Sequence, residues 1–229
     1  MGSKRLPGKS LIKIKGKSLV ERIFERVSRV QGVDKILFAI PDIKSDDILF
    51  ETLTKIGASV FRGSEDDVLD RYYQAAKEVK ADYILRIPAD NAFPDPREIE
   101  KIIFFHLAFN QDGFSTNLAN AKGSNYIDGV GAEIFSFSLL EKAWKNNNDP
   151  KKREHVHLNF FDYETNTEIN NIRVLSPKCP SEYSRPDIHL DINEREDLEF
   201  VKLIYNYFKN QTFSTTDIVN FLDSKTKPL

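Results

Sequence analysis

Cysteine is almost absent from this chain of 229 residues: Cys179 stands alone, so no disulfide can close within the chain and no cysteine cluster can hold a metal. A reducing, cytoplasmic compartment is the setting that such usage implies. Long apolar runs are lacking as well. None approaches the roughly 20 residues that span a bilayer, and the basic N-terminus is not followed by the apolar stretch of a secretory signal. Met1-Gly2 begins as a myristoylation site would, but Leu6 stands where Ser or Thr is required. Excess charge is missing too. Lys+Arg number 33 against 35 Asp+Glu, a net −2, which gives no general pull toward nucleic acid or membrane. What remains is 40% hydrophobic and 30% charged, the composition of an ordinary globule. The length suits one α/β domain, or one with a small appendage.

Helical and strand patterns alternate. Ser18-Leu-Val-Glu21 is a capping box, followed by an apolar face of Leu19, Val20, Ile23, Phe24, Val27 and Val30, with Gly32 as the stop. The continuous run Ile36–Ile40, ended by Pro41, predicts a strand buried on both faces. Ser45 opens the next helix and Gly57 closes it. Ser59–Phe61 is a short strand, and Ser64 is the expected cap of the helix after it. Tyr83–Ile87 predicts a strand, and Asp95-Pro-Arg-Glu98 a second capping box with Pro96 at the first helical position. Beyond Leu107 strands are expected at Phe114–Thr116, Val130–Phe135 and Ile169–Leu175. Helices are expected from Ser138, from about Lys151, over Glu194–Phe208, and as a small terminal one over Thr215–Leu222. Such alternation predicts a mostly parallel sheet covered on both faces. Residues 1–210 form the expected domain, and 211–229 a tail with a short helix.

The N-terminus concentrates positive charge. Lys4, Arg5, Lys9, Lys13, Lys15 and Lys17 all precede the first acid, Glu21. A basic turn containing Gly8 and leading to a helix suits a polyphosphate; a merely solvated basic arm is the plainer alternative. It is not a P-loop, which needs four residues between its glycines where Gly2 and Gly8 enclose five.

Two acids sit where chemistry gathers. Asp90 follows a predicted strand, and ligands collect at the carboxyl ends of parallel strands. Magnesium takes one or two carboxylates plus phosphate oxygens, although an ordinary turn also uses Asp and Asn. Asp191 precedes a helix, with Asn193 either a carbonyl ligand or a helix cap. The loop Arg62-Gly63-Ser64 precedes a helix start, whose free N–H groups suit ligand oxygens. His155, His157 and His189 lie late in the chain. His155 and His157, two apart, would diverge on a helix, which counts against zinc.

Ser3-Lys-Arg-Leu-Pro-Gly-Lys9 resembles the triphosphate loop of the cytidylyltransferases that activate acidic sugars. Phe61-Arg-Gly-Ser-Glu-Asp-Asp-Val-Leu-Asp-Arg-Tyr72 and Arg153-Glu-His-Val156 resemble the branch called spore coat polysaccharide biosynthesis protein F. The similarity runs to about Phe208. It implies a Rossmann-like three-layer α/β sandwich of the glycosyltransferase-A type. It also implies CMP transfer from CTP to a sugar or sugar acid with release of pyrophosphate, a Mg2+ cofactor and a homodimer.

By resemblance Ser3, Arg5, Gly8 and Lys9 take the triphosphate, with Arg5 and Lys9 acting on the leaving pyrophosphate. Arg62, Gly63, Ser64 and Arg71 face the base. Asp90, in a departed form of the family's Gly-Asp-x-Pro stretch with Ala89 and Ala92, holds metal together with Asp191, and Asn193 is a further candidate. Asp128, Glu133, Arg153, Glu154 and His155 face the sugar. The family places an apolar strand ahead of the loop. Its first strand is therefore expected to be missing here, with Met1 an internal methionine of a longer protein. A non-catalytic nucleotide-binding relative and a glycosyltransferase of the same fold are the alternatives.

Overall fold

The structure, a computed structural model, describes residues 5–226; Ser3 lies outside them. After a 3-10 turn at Lys9–Leu11, β1 (Lys13–Ile14) and β2 (Lys17–Ser18) form a hairpin. Its turn residues Lys15 and Gly16 both have positive φ, 47° and 85°, the type of turn whose twist matches paired strands. Next is α1 (Leu19–Val27), whose start is the expected capping box: Ser18 Oγ accepts from Glu21 N, and the Glu21 carboxylate accepts from Ser18 N. The Ser18 hydroxyl is the main reason the Glu21 carboxyl is lowered to about 2.

Then follow β3 (Leu37–Pro41), α2 (Asp47–Lys55), β4 (Ser59–Gly63), α3 (Val68–Glu78), β5 (Tyr83–Arg86) and α4 (Pro96–Phe109). After them come β6 (Phe114–Thr116), β7 (Glu133–Ser136), α5 (Phe137–Asn146), α6 (Pro150–Glu154), β8 (Phe161–Asp162), β9 (Thr167–Glu168) and β10 (Val174–Leu175). The last helices are α7 (Arg195–Tyr207) and α8 (Thr215–Thr226).

The sheets are small and mixed, not mostly parallel. β3 and β4 pair in parallel, and a four-stranded sheet has the order β10-β6-β7-β5. In it β7 runs antiparallel to both β5 and β6. Parallel neighbours need a long crossover. Such a crossover, α4, connects β5 to β6, whereas β6 reaches β7 through a loop with only a 3-10 turn at Ala121–Gly123. Among the described residues β3 pairs with β4 alone, and Leu37, Phe38 and Ala39 are half-buried, so the expected burial on both faces is not reached.

Three local expectations also change. The cap of α3 is Asp67, which accepts from Asp70 N, rather than Ser64. Glu98 does not turn back to cap α4; it is buried, bonded to Tyr126 Oη, Tyr183 Oη and Lys101 Nζ. Asp95 still caps α4 through Arg97 N, and its other oxygen accepts from Thr215 N and Oγ1 at the start of α8. The run Ile169–Leu175 pairs as a strand only at its end, Val174–Leu175.

The larger core joins α1, α4, α7 and the segments around Phe93, Ile127 and Leu190; Phe213, Ile218, Val219 and Phe221 of the C-terminal segment are built into it. A second core lies between α3, α5 and the four-stranded sheet, where the rings of Phe135 and Phe160 meet at 4.9 Å.

Candidate active site

The chain leaves β5 at Arg86 and turns through Pro88 to Asn91, placing Asp90 beyond the strand end. One distant segment, around Asp191, is zipped onto this turn, and a second, around Asp128, is zipped onto that segment. Ile192 N donates to Asp90 O at 2.9 Å, and Asn91 forms a bridge with Asp191. Asp128 N donates to Ile188 O (3.2 Å) and Leu190 N to Asp128 O (3.1 Å), so Asp128 bridges His189. The approach is close enough to demand Gly129: its φ is 92°, and a Cβ there would lie 3.0 Å from the backbone of Leu190 and Asp191. Asp128, His189 and Asp191 thereby bring their ligating atoms within 4.8 Å of one another. Burial, and after it the neighbouring Asp191 carboxylate, pushes the Asp128 carboxyl up to about 6.

The basic loop meets these carboxylates. Gly8, at φ 70°, starts the 3-10 turn that directs Lys9 across the site. Lys9 Nζ donates to Asp90 Oδ2 (3.0 Å) and to Ile192 O (2.9 Å). Arg5 donates to Asn193 Oδ1 at 3.0 Å, and Asn193 in turn donates to Asp191. Thus Arg5, Lys9, Asp90, Asp191 and Asn193 come together, as does Asp128, which the resemblance assigned to the sugar. His189 is the member that sequence reading missed as a site residue. Its place depends on the bridge to Asp128, a contact across 61 positions that local spacing does not reveal.

The other candidates form separate groups. Arg62, at the end of β4, pairs with Asp42 (2.9 Å) and Asp47 (2.7 Å) and donates to Ile43 O. Gly63 has no room for a side chain, since a Cβ would meet Phe61 at 2.8 Å and Arg71 at 3.1 Å. Arg71 holds the exposed Ser64 turn by donating to the carbonyls of Ser64 and Glu65. Arg153 grips Asp67, the cap of α3, and donates to Trp144 O and Asn147 O, while Glu154 and His155 are exposed beside it. Glu133 is fully buried inside the sheet. Its carboxylate takes Arg86 Nη1 at 2.6 Å and Tyr163 Oη at 2.9 Å.

A turn with paired cations over a carboxylate cluster beyond the end of β5 suits a nucleoside triphosphate with a divalent ion. The pattern of the cytidylyltransferase family matches residues 1–217. The chain belongs to the cytidylyltransferase family. It is a CTP-dependent nucleotidyltransferase.

Among its relatives, an uncharacterized protein of Methanocaldococcus jannaschii is 34% identical over 97% of this chain and 86% of its own. The spore coat polysaccharide biosynthesis protein SpsF of Bacillus subtilis is 31% identical over 90% of this chain and 82% of its own. A solved cytidylyltransferase from Leptospira borgpetersenii superposes with a TM-score of 0.87 at 26% identity, over 100% of this chain and 94% of that one. Cytidylyltransferases typically use a divalent metal. The clustered oxygen and nitrogen donors of Asp128, Asp191 and His189 fit one.

Proposed function

We propose that this cytidylyltransferase transfers CMP from CTP to a sugar or sugar acid, releasing pyrophosphate, in the cytoplasmic synthesis of a surface polysaccharide. The observation that carries the reading is Lys9 Nζ set between Asp90 Oδ2 and Ile192 O, which holds the basic loop against the carboxylates. The family match and the likeness to SpsF support the substrate class. A three-layer sandwich of the glycosyltransferase-A type is supported by α2 and α3 packed on the β3–β4 pair and by α4 and α5 packed on the four-stranded sheet.

In this reading Arg5, Gly8 and Lys9 bind the triphosphate, and the loop of Arg62, Gly63, Ser64 and Arg71 faces the base. Asp90, Asp128 and Asp191, with His189 and Asn193 beside them, hold Mg2+. When bound, the ion neutralises phosphate charge and lowers the pKa of the attacking hydroxyl. Lys9 then exchanges Asp90 for a phosphate oxygen, and Arg5 exchanges Asn193 likewise. The sugar hydroxyl gives up its proton to solvent and forms a bond to the α-phosphorus as the bond to pyrophosphate breaks, and the leaving charge falls on Arg5 and Lys9. In-line positioning and charge stabilisation supply the rate. Arg153, Glu154 and His155 remain the candidates for the sugar side.

The test is pyrophosphate release with each nucleoside triphosphate, Mg2+ and a panel of acidic and neutral sugars. Release with CTP and one sugar is expected. CTP binding without release across the panel would favour a non-catalytic relative, and transfer from a finished nucleotide-sugar would favour a glycosyltransferase. Phe104 and Phe109 on α4 are 73% and 58% exposed, apolar surface that suits a homodimer contact. Light scattering is expected to give twice the chain mass, and a monomer would refute the dimer.

A further inference from the structure

A cavity of about 520 Å³ lies between the β1–β2 turn, α1 and the segment that follows α7. Its wall carries Lys15, Lys17, Arg22, Arg26, Arg29 and Lys209, and Glu25 is its one carboxylate. The chain as a whole has a net charge of −2, so this concentration is local. Part of it is neutralised by the fold. Lys17 pairs with Glu25, and Lys15 Nζ donates to Tyr205 O (3.1 Å) and Phe208 O (2.7 Å) at the end of α7. Arg22 donates to Ile14 O and Lys15 O.

Arg26 is different. It is 2% exposed, its Nε and Nη2 donate to Pro94 O (2.9 Å) and Phe213 O (3.0 Å), and the Tyr205 hydroxyl and the Phe213 ring lie against the guanidinium, yet its buried Nη1 makes no hydrogen bond among the described residues. Gln211, on the same wall, has a buried Oε1 acceptor that is equally unpartnered. Leaving a charged donor buried and unsatisfied costs on the order of 1–3 kcal/mol or more, and such groups point to a missing partner. The partner must offer an acceptor oxygen to Arg26 and a hydroxyl to Gln211, and it must carry negative charge toward Arg29 and Lys209. Inorganic phosphate, which keeps a P–OH near neutral pH, has all three; the phosphate of a metabolite supplies the oxygens and the charge, and the hydroxyl comes from the rest of that molecule.

We propose that this cavity is a second anion site that takes a phosphate group, either free phosphate or the phosphate of a small metabolite. It is separate from the candidate active site. α7 runs 13 residues between Asn193 and the cavity, a length of about 20 Å at about 1.5 Å per residue. The proposal does not depend on the reaction argued above.

Calorimetric titration of the full chain with inorganic phosphate tests it, beside Lys9→Ala and an Arg29→Gln/Lys209→Gln double variant. Phosphate is expected to bind the full chain and Lys9→Ala equally, and the double variant at least about tenfold more weakly. Arg29 and Lys209 lie at the outer wall, and thermal unfolding checks that the double variant folds. Parallel titration with a hexose phosphate separates the sources: tighter binding than inorganic phosphate identifies a metabolite, and equal binding identifies the free ion. No binding to the full chain, loss of all binding in Lys9→Ala, or an unchanged double variant would overturn the proposal.

Discussion

At Asp90 one carboxylate oxygen answers Lys9, on a side chain that is 31% exposed. An ion pair that open to solvent contributes less than about 1 kcal/mol. Asp90→Asn is therefore expected to leave thermal unfolding nearly unchanged while lowering turnover roughly a hundredfold or more, the scale of losing one charge-stabilising group. Turnover close to normal would remove Asp90 from the metal site. Asp90 and Asp191 were legible in the sequence because each stands beside a recognisable element. The grouping of Asp128 with His189 was not, since it is made by backbone bridges between segments far apart in the chain.

His106 was equally illegible, and its environment predicts a pH effect on stability. It is fully buried on α4, with Nδ1 against Ser115 Oγ at 2.9 Å. Burial lowers its pKa from 6.5 to about 4. The folded state thus binds this proton less readily than the unfolded one. The stabilising contribution is complete above pH 6.5 and lost as pH falls toward 4. Denaturant unfolding at pH 7 and pH 5 should differ by about 2 kcal/mol from this residue, and His106→Asn should remove that share of the difference. An equal pH dependence in the variant would show that other groups carry it.

Among the elements, β7 is the one on which the four-stranded sheet turns, and Glu133 is its pivot. Arg86 on β5 and Thr116 on β6 are both its cross-strand partners. Burial alone would lower the Arg86 guanidinium, but Glu133 outweighs it and holds the group above its usual range. Removing one member of a buried pair costs about 3–5 kcal/mol, because the other charge is left uncompensated. Glu133→Gln should fall in that range by denaturant unfolding, and Glu133→Gln with Arg86→Met should recover part of the loss. A single variant as stable as the natural chain would place Glu133 on the ligand side instead. Helix starts such as Ser18–Glu21 were readable because both halves of the cap are local. The direction of β7 was not, because apolar alternation is the same in either direction and the connection decides. Glu98 shows the same limit: its spacing fits a cap, but buried Tyr126 and Tyr183 offer stronger partners.

For the whole molecule, the segment after residue 210 reads as an appendage in sequence, being short and weakly patterned. Its packing is not that of one. Phe213, Ile218, Val219 and Phe221 are each at most 6% exposed, in the same core as α1, α4 and α7. Phe213 stacks against Phe208 at 4.4 Å, lies under the Arg26 guanidinium at 4.9 Å, and accepts from Arg26 at its carbonyl. Thr215 is held by Asp95, whose other oxygen caps α4 just past the turn that carries Asp90. Fully burying one large apolar side chain contributes roughly 1.5–3 kcal/mol. Four of them amount to about as much as the 5–15 kcal/mol by which a typical domain is stable. A chain ending at residue 210 is therefore expected to lose cooperative thermal unfolding and, with the Asp90 turn no longer braced from behind, its CTP binding as well. If that shortened chain melts cooperatively within a few degrees of the full one, the segment is a true appendage. The core then closes over α1 and α7 without it.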